Sequence, residues 1–170
     1  TGNCLQTLDC QMRIWSLAFP VKPTSVPELI LATGGDDQLI KIWDITTGHC
    51  LKTFQGHSSK LWSVAFSPDG QTIASSSDDQ TVKLWELETI RCIRTVQGYN
   101  NWIWAAAFSP DGEQLASASE DGKLRLWETA TGNCRSLEGH QGRIWTVAFS
   151  PKGQLLASGG DDQTLRIWHL

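Results

Sequence analysis

A unit of just over forty residues occurs four times in this chain, and no other feature limits its possible folds so strongly. The best-formed copy, residues 47–87, reads TGHCLKTFQGHSSKLWSVAFSPDGQTIASSSDDQTVKLWEL. The copies align on an early tryptophan (Trp15, Trp62, Trp104, Trp145) and on a late tryptophan (Trp43, Trp85, Trp127, Trp168). A period in the low forties carried by short apolar runs predicts a radial or solenoidal β-repeat. We expect a single array with repeats at about 1–45, 46–87, 88–129 and 130–170.

Each repeat reads as four short strands. In the second copy these are HCLKTF, LWSVAF, TIASSS and TVKLWEL, separated by turn signals such as Pro68-Asp69-Gly70 and Asp78-Asp79-Gln80. Along LWSVAF, strict alternation would place Trp62, Val64 and Phe66 on one face. Because neither face carries a charge, we expect protein to cover both faces of the sheet, as when sheets stack around an axis.

Several short motifs carry a resemblance to a known family. The pairs Gly56-His57 and Gly139-His140, the SPDG or SPKG turns, the paired acids and the late tryptophans resemble the WD-repeat β-propeller family over essentially the whole chain. The resemblance implies an all-β fold of four four-stranded antiparallel blades forming half of a seven- or eight-bladed ring. It also implies that the first strand of each repeat is the outer strand of the preceding blade.

The second and fourth repeats carry a histidine, a serine, an aspartate and a tryptophan at one spacing, which could suggest a Ser-His-Asp triad. The set recurs in several units, however, its serine lies in an apolar strand without a nucleophile elbow, and a buried indole N–H needs an acceptor. We therefore favour a structural network, as the resemblance implies. We expect the second acid of each pair to close this network, and the first to be a solvated turn residue. The predicted network residues are His57, Ser75, Asp79, Trp85, His140, Ser158, Asp162, Trp168, Ser117, Asp121, Trp127, Thr33, Asp37 and Trp43.

The early tryptophans begin the strand after the Gly-His loop, at the rim that such propellers generally use to bind proteins. They either bind a partner or wedge between blades. The third repeat departs from the others there, because Gly98-Tyr99 replaces Gly-His and Trp102 stands where other repeats have arginine or lysine. Aromatic anchors are typical of binding hot spots. The predicted partner-binding residues are Tyr99, Trp102, Trp104, Trp15, Trp62 and Trp145.

Composition narrows the function further. The formal net charge of −4 and the lack of a basic cluster argue against nucleic acid, and no apolar run is long enough for a membrane span. Cys4, Cys50, Cys92 and Cys134 recur at one repeat position without metal-ligand spacing. We therefore expect small buried hydrophobes, no metal and no cofactor. No signal peptide is visible, which favours a cytoplasmic location. The proline-rich stretch 20–28 predicts a protruding loop, either a tolerated insertion or a contact loop.

These patterns favour a non-catalytic protein-binding scaffold. The alternative is the C-terminal sensor segment of a larger nucleotide-switched signalling protein, because the repeat sequences are similar to those of bacterial proteins of this kind. The chain opens inside a repeat at Thr1, so we expect a segment of something longer or a trimmed chain. We expect it to self-associate as 4 + 4 blades in one ring, or to be completed by the remaining blades of a longer parent chain.

Overall fold

A computed structural model describes residues 2–21, 29–97 and 101–170. These ranges form β-strands joined by turns, and they contain no helix that is long and apolar enough to cross a membrane. The strands are β1 (Ile14–Ala18), β2 (Ile30–Gly35), β3 (Ile40–Asp44), β4 (Cys50–Phe54), β5 (Leu61–Phe66), β6 (Thr72–Ser77), β7 (Val82–Glu86), β8 (Arg91–Val96), β9 (Ile103–Phe108), β10 (Gln114–Ser119), β11 (Lys123–Glu128), β12 (Cys134–Glu138), β13 (Ile144–Phe149), β14 (Leu155–Gly160) and β15 (Leu165–His169).

The strands form four separate antiparallel sheets, which we call the first to fourth blades. The first blade has the order β1-β2-β3-β4, the second β5-β6-β7-β8, the third β9-β10-β11-β12 and the fourth β13-β14-β15. The predicted all-β propeller blades are thus confirmed, and the sheets do not close into a ring. The first three blades have four strands each, and the described residues contribute three strands to the fourth. The outer strands β4, β8 and β12 come from the beginning of the next repeat, as the resemblance implied.

Apolar faces of neighbouring blades meet in three buried clusters. Between the first two blades, Ile40 and Ile42 on β3 pack with Leu61 and Val64 on β5. The next two seams repeat this arrangement with the apolar residues of β7 and of β11. The branched residue just before each late tryptophan is therefore buried in the first three blades. Burial of such apolar side chains is the dominant favourable contribution to folding.

The innermost strand of every blade contains a β-bulge at its early tryptophan. In the second blade Leu61 pairs with Ser77 and Ser63 with Ser76, so that Trp62 has no partner residue. The same shift occurs in β1, β9 and β13. Strict alternation along LWSVAF was therefore wrong at its start, because an extra residue in one strand re-aims the side chains around it. Leu61 and Val64 both enter the core, whereas Trp62 is only half-buried.

The recurring cysteines are not buried hydrophobes. Cys4, Cys50, Cys92 and Cys134 are exposed. Three of them lie on the outer strands, which have no further strand beside them, and Cys4 lies in the strand-free segment 2–10. Of the predicted loop 20–28, residues 22–28 lie outside the described part of the chain.

Candidate functional site

The upper rim of the blades is the end that carries the Gly-His loops, the acid-bearing turns and the early tryptophans. In the second blade, His57 Nδ1 lies 2.7 Å from Asp79 Oδ2 and His57 Nε2 lies 2.7 Å from Ser75 Oγ. The indole N–H of Trp85 donates to Ser75 Oγ at 2.8 Å. The Asp79 carboxylate also accepts from the Ser58 amide and the Thr81 hydroxyl. The structure therefore joins the loop, two inner strands and the turn in one chain of hydrogen bonds.

One assignment of hydrogen positions satisfies every link in this chain of hydrogen bonds while His57 stays neutral. If His57 donates from Nδ1 to Asp79, then Nε2 accepts from the Ser75 hydroxyl, whose oxygen accepts from Trp85. Ser75 is fully buried, and its oxygen is already engaged by the indole. Such an oxygen offers no access to a substrate carbonyl, so the geometry does not support nucleophilic catalysis. A close approach explains the glycine before His57: a Cβ at Gly56 would lie 3.0 Å from the Trp85 ring.

The four blades build this network in two ways. The fourth blade repeats the second, with His140 Nδ1 2.9 Å from Asp162 Oδ2 and Nε2 2.8 Å from Ser158 Oγ. In the blades without a histidine, a cation two residues before the late tryptophan takes the carboxylate instead. The contacts are Lys41–Asp37 at 2.8 Å and Arg125–Asp121 at 2.7 Å. The late tryptophans donate as Trp85 does: Trp43 to Thr33 at 2.9 Å, Trp127 to Ser117 at 3.0 Å and Trp168 to Ser158 at 2.9 Å. Tyr99 lies outside the described residues.

The network sets the protonation of its carboxylates. Desolvation raises the pKa of Asp79, but hydrogen bonds from His57, Thr81 and the Ser58 amide outweigh it and hold the pKa well below its usual range. In the fourth blade, desolvation likewise raises the pKa of Asp162, and hydrogen bonds from the Gln141 amide, Thr164 and His140 hold it low. Both groups are therefore carboxylates at neutral pH, suited to accept hydrogen bonds and not to act as general acids.

The early tryptophans form a continuous ladder across all three seams. Ring centroids are 4.8 Å apart for Trp15–Trp62, 4.7 Å for Trp62–Trp104 and 4.4 Å for Trp104–Trp145. Trp102 adds an edge-to-face contact with Trp104 at 5.6 Å. The rings thus pack between blades, and Trp15, Trp102 and Trp145 also remain exposed. We call this set the tryptophan ladder. Of the two roles considered for the early tryptophans, packing between blades is observed, and partner binding stays a prediction.

The first acid of each pair is not merely a solvated turn residue. The indole N–H of Trp15 donates to Asp36 Oδ1 at 2.7 Å, which holds the pKa of Asp36 below its usual value. Trp62 donates to Asp78 and Trp145 to Asp161 in the same way. In the third blade the equivalent acid is a glutamate, and Trp104 Nε1 has no hydrogen-bond partner among the described residues. Sequence reasoning missed these contacts, although each early tryptophan needed an acceptor and an acid recurred at a fixed distance from it.

Basic residues complete the upper rim. Lys60 Nζ lies 3.7 Å from Asp36 Oδ1 across the first seam, and Arg143 Nε lies 3.1 Å from Glu120 Oε1 across the third. Arg143 also lies 5.9 Å from the centre of the Trp145 ring. The rim therefore presents aromatic edges beside carboxylates and cations. Of these groups, the aromatic residues and arginine are enriched in protein-binding sites.

Comparison with known proteins agrees with this architecture. The family model described as IFT122 first beta-propeller matches residues 13–170. The nuclear distribution protein PAC1 of Coccidioides posadasii (strain C735) is 48% identical over 46 residues, which are 27% of this chain and 10% of that protein. WD repeat and SOCS box-containing protein 1 of Xenopus tropicalis is 36% identical over 86 residues, 39% of this chain and 20% of that protein. The Lissencephaly-1 homolog of Heterostelium pallidum is 47% identical over 45 residues, which are 26% of this chain and 11% of that protein. These matches span only about a tenth to a fifth of each relative. The family model covers most of this chain, and the chain therefore belongs to the WD-repeat β-propeller family.

Proposed function

We propose that this chain is a non-catalytic protein-binding scaffold whose partner sits on the upper rim, over the tryptophan ladder. The observation that carries the proposal is the exposure of Trp15 (44%), Trp102 (43%) and Trp145 (43%) in a ladder whose rings also pack between blades. Exposed aromatic rings held rigidly by their neighbours bury a large area at little entropic cost when a partner binds.

The chemistry of the rim favours a protein over other partners. Its four first acids are Asp36, Asp78, Glu120 and Asp161, and this acidity opposes phosphate-bearing ligands. The only serine–histidine–aspartate groups in the described residues are buried in the blade network. We accordingly propose a protein or peptide ligand, without nucleic acid, membrane or cofactor, and a cytoplasmic location.

The test is a selection of peptide ligands from a random display library with the folded chain. Trp102→Ala should weaken binding of the selected peptides by about 2 kcal/mol or more, as for a hot-spot residue. Thermal stability should change little, because Trp102 is half-exposed. Ile93→Ala, at a similarly exposed apolar residue on the outer strand β8, is the matched control and should leave binding intact.

Two results would contradict the proposed rim. One is a selection whose peptides bind Trp102→Ala as well as the original chain. The other is a stability loss of about 3–5 kcal/mol in Trp102→Ala with peptide binding intact, which would make Trp102 a core residue.

We further propose that the two end faces of the array associate, with a second copy of the chain as the occupant. Leu165 and Ile167 on the fourth blade are 73% and 58% exposed, whereas their counterparts Leu124 and Leu126 on the third blade are buried by the next blade. At the other end, an apolar cavity of about 520 Å³ opens on the first blade, lined among others by Leu5, Leu8, Leu17 and Leu31.

The contacts at the internal seams support this pairing. At each internal seam, the face of one blade that is equivalent to the face bearing Leu165 and Ile167 packs against the face of the next blade that is equivalent to the face bearing Leu17. Segment 2–10 also lies against the first blade, in the way that the outer strand of one blade lies against the blade that follows it. With its amide nitrogen toward Ile45, Gln6 donates to that carbonyl at 2.7 Å, just as Lys52 donates to the Leu87 carbonyl at 2.8 Å. Two end-to-end contacts between two copies would give the 4 + 4 ring.

The sensor alternative differs in what accompanies the array. In that reading, the same blades are the C-terminal part of a larger nucleotide-switched signalling protein, whose further blades would occupy the end faces. A nucleotide-binding motif such as GxxxxGKS in the same gene product would favour it, and a gene product without such a motif would count against it.

A further inference from the structure

One position in the rim breaks a regular series of charges. The residue two before each early tryptophan is Arg13, Lys60, Trp102 or Arg143. All four hold the same backbone place, because each carbonyl accepts from the amide of the first acid in its own blade. These distances are 3.2 Å for Arg13–Asp36, 3.1 Å for Lys60–Asp78, 3.0 Å for Trp102–Glu120 and 2.9 Å for Arg143–Asp161. Trp102 therefore stands on the third blade where a cation stands on the others.

The cation at this place has a defined target. Lys60 reaches back across the first seam to Asp36, and Arg143 reaches back across the third seam to Glu120. The corresponding acid at the second seam is Asp78. Its carboxylate accepts from the Trp62 indole, and among the described residues no cation pairs with it. The second seam thus keeps the acid of the series and lacks the base.

Trp102 changes what this seam can bind. Its ring lies edge-to-face with Trp104, with an interplanar angle of 80°, and it stays exposed. Asp78 and Trp102 lie at the same seam, joined through the Trp62 and Trp104 rings. A half-exposed carboxylate and an exposed indole at one seam both attract a cation, the first through its charge and the second through its ring quadrupole. An apolar partner would leave the Asp78 charge unpaired when it covered the seam, and an acidic partner would be repelled.

We propose that the second seam binds an arginine or lysine side chain of a partner protein, with Asp78 as its counter-ion and Trp102 as its aromatic wall. The partner's cation takes the place that Lys60 and Arg143 fill at the other two seams. This inference rests on the proposed protein-binding function of the rim, and it specifies the chemistry of the segment that binds.

The probe is the capped tripeptide acetyl-Gly-Arg-Gly amide, compared with its neutral citrulline counterpart. Binding is followed through the indole N–H resonances of the ¹⁵N-labelled chain. The Trp62 resonance reports directly, because its acceptor is Asp78. The arginine peptide should shift the Trp62 and Trp102 resonances saturably, and the citrulline peptide should not.

Three variants locate the site. Asp78→Asn keeps an acceptor for the Trp62 indole and loses only the charge, so it should weaken binding about fivefold or more. Asp36→Asn is the matched control, because that carboxylate already has Lys60, and it should retain binding within about twofold. Trp102→Arg supplies the missing cation in the form used by two other repeats, and it should remove the saturable shift while the chain stays folded.

Equal binding of the arginine and citrulline peptides, or of Asp78→Asn and the original chain, would overturn the inference. Its failure is distinguishable from that of the proposed function. If display-selected peptides bind the rim through Trp102 but are indifferent to Asp78→Asn, only the cation site is wrong. If no selected peptide depends on Trp102, the protein-binding rim itself is wrong.

Discussion

At the scale of single residues, the carboxylate of Asp79 joins the Gly-His loop of the second blade to its acid-bearing turn. Asp79→Ala would leave His57 Nδ1 and the Ser58 amide without their acceptor in a nearly dry place, since the His57 side chain is 1% exposed. We expect the free energy of unfolding in urea to fall by about 1–3 kcal/mol. Asp37→Ala is the control. Its partner Lys41 is more exposed, so we expect a loss below about 1 kcal/mol. Equal losses would show that the histidine adds nothing.

The same carboxylates make stability depend on pH. The folded-state pKa values of Asp79 and Asp162 lie below the value of about 3.9 for an unfolded aspartate. Between those values the unfolded chain binds more protons, so stability rises with pH there. The contribution is complete well above pH 4 and is lost as the pH falls below about 4. In urea titrations, the gap between the original chain and Asp79→Ala should be smaller at pH 3 than at pH 6. A gap independent of pH would contradict the assignment.

At the scale of elements, the turn between the second and third strands of a blade is strained in three of four repeats. Gln38, Gln80 and Gln163 have positive φ angles of 68°, 67° and 60°, whereas the third repeat uses Gly122. Gln80→Gly should therefore raise the free energy of unfolding by roughly 0.5–1 kcal/mol, because glycine adopts this conformation without the Cβ clash. Gly122→Gln should lower it, since a Cβ there meets the Gly142 carbonyl at 3.0 Å. Denaturant unfolding of both variants would check the opposite signs.

Local chemistry made the strands predictable. The predicted runs LWSVAF and TIASSS coincide with β5 and β6, because SPDG and DDQ turns fix where a strand stops. The bulge at Trp62 could not be predicted by counting alternate residues, since the pattern does not show that the partner strand lacks a residue there. The exposure of Cys50 was missed for a related reason: membership of an edge strand is a tertiary property.

The candidate site was predictable to a similar depth. The His57, Ser75, Asp79 and Trp85 set was found because it recurs at one spacing, and the structure brings its members within hydrogen-bonding distance. The role of Asp78 was missed because its partner Trp62 is re-aimed by the bulge. Contacts across seams, such as Lys60 with Asp36, join different repeats and leave no fixed spacing within one.

At the scale of the whole molecule, the repeat makes each seam a template for the next. An internal seam combines two buried branched apolar residues of one blade with a contact between early tryptophans of the two blades. Two of the three seams in the described residues also contain a cation–acid pair. The two end faces carry the matching halves. The fourth blade offers Leu165, Ile167, Trp145 and Asp161, and the first blade offers Leu17, Trp15 and the exposed Arg13. An unpaired apolar face of this kind is seldom left open to water in a stable protein.

The complementarity of the two end faces leads to a prediction about assembly. If two copies close one ring, light scattering of the 170-residue chain at micromolar concentration should give twice the mass of one chain. Ile167→Asp places a charge in the proposed seam and should yield single chains, because an unpaired buried charge is strongly unfavourable. Ile93→Asp is the matched control: Ile93 is about as exposed as Ile167 but lies on the outer strand of the second blade, so the mass should stay doubled. A well-folded single chain without any substitution would contradict the second copy as the occupant, and would favour further blades of a longer protein at both end faces.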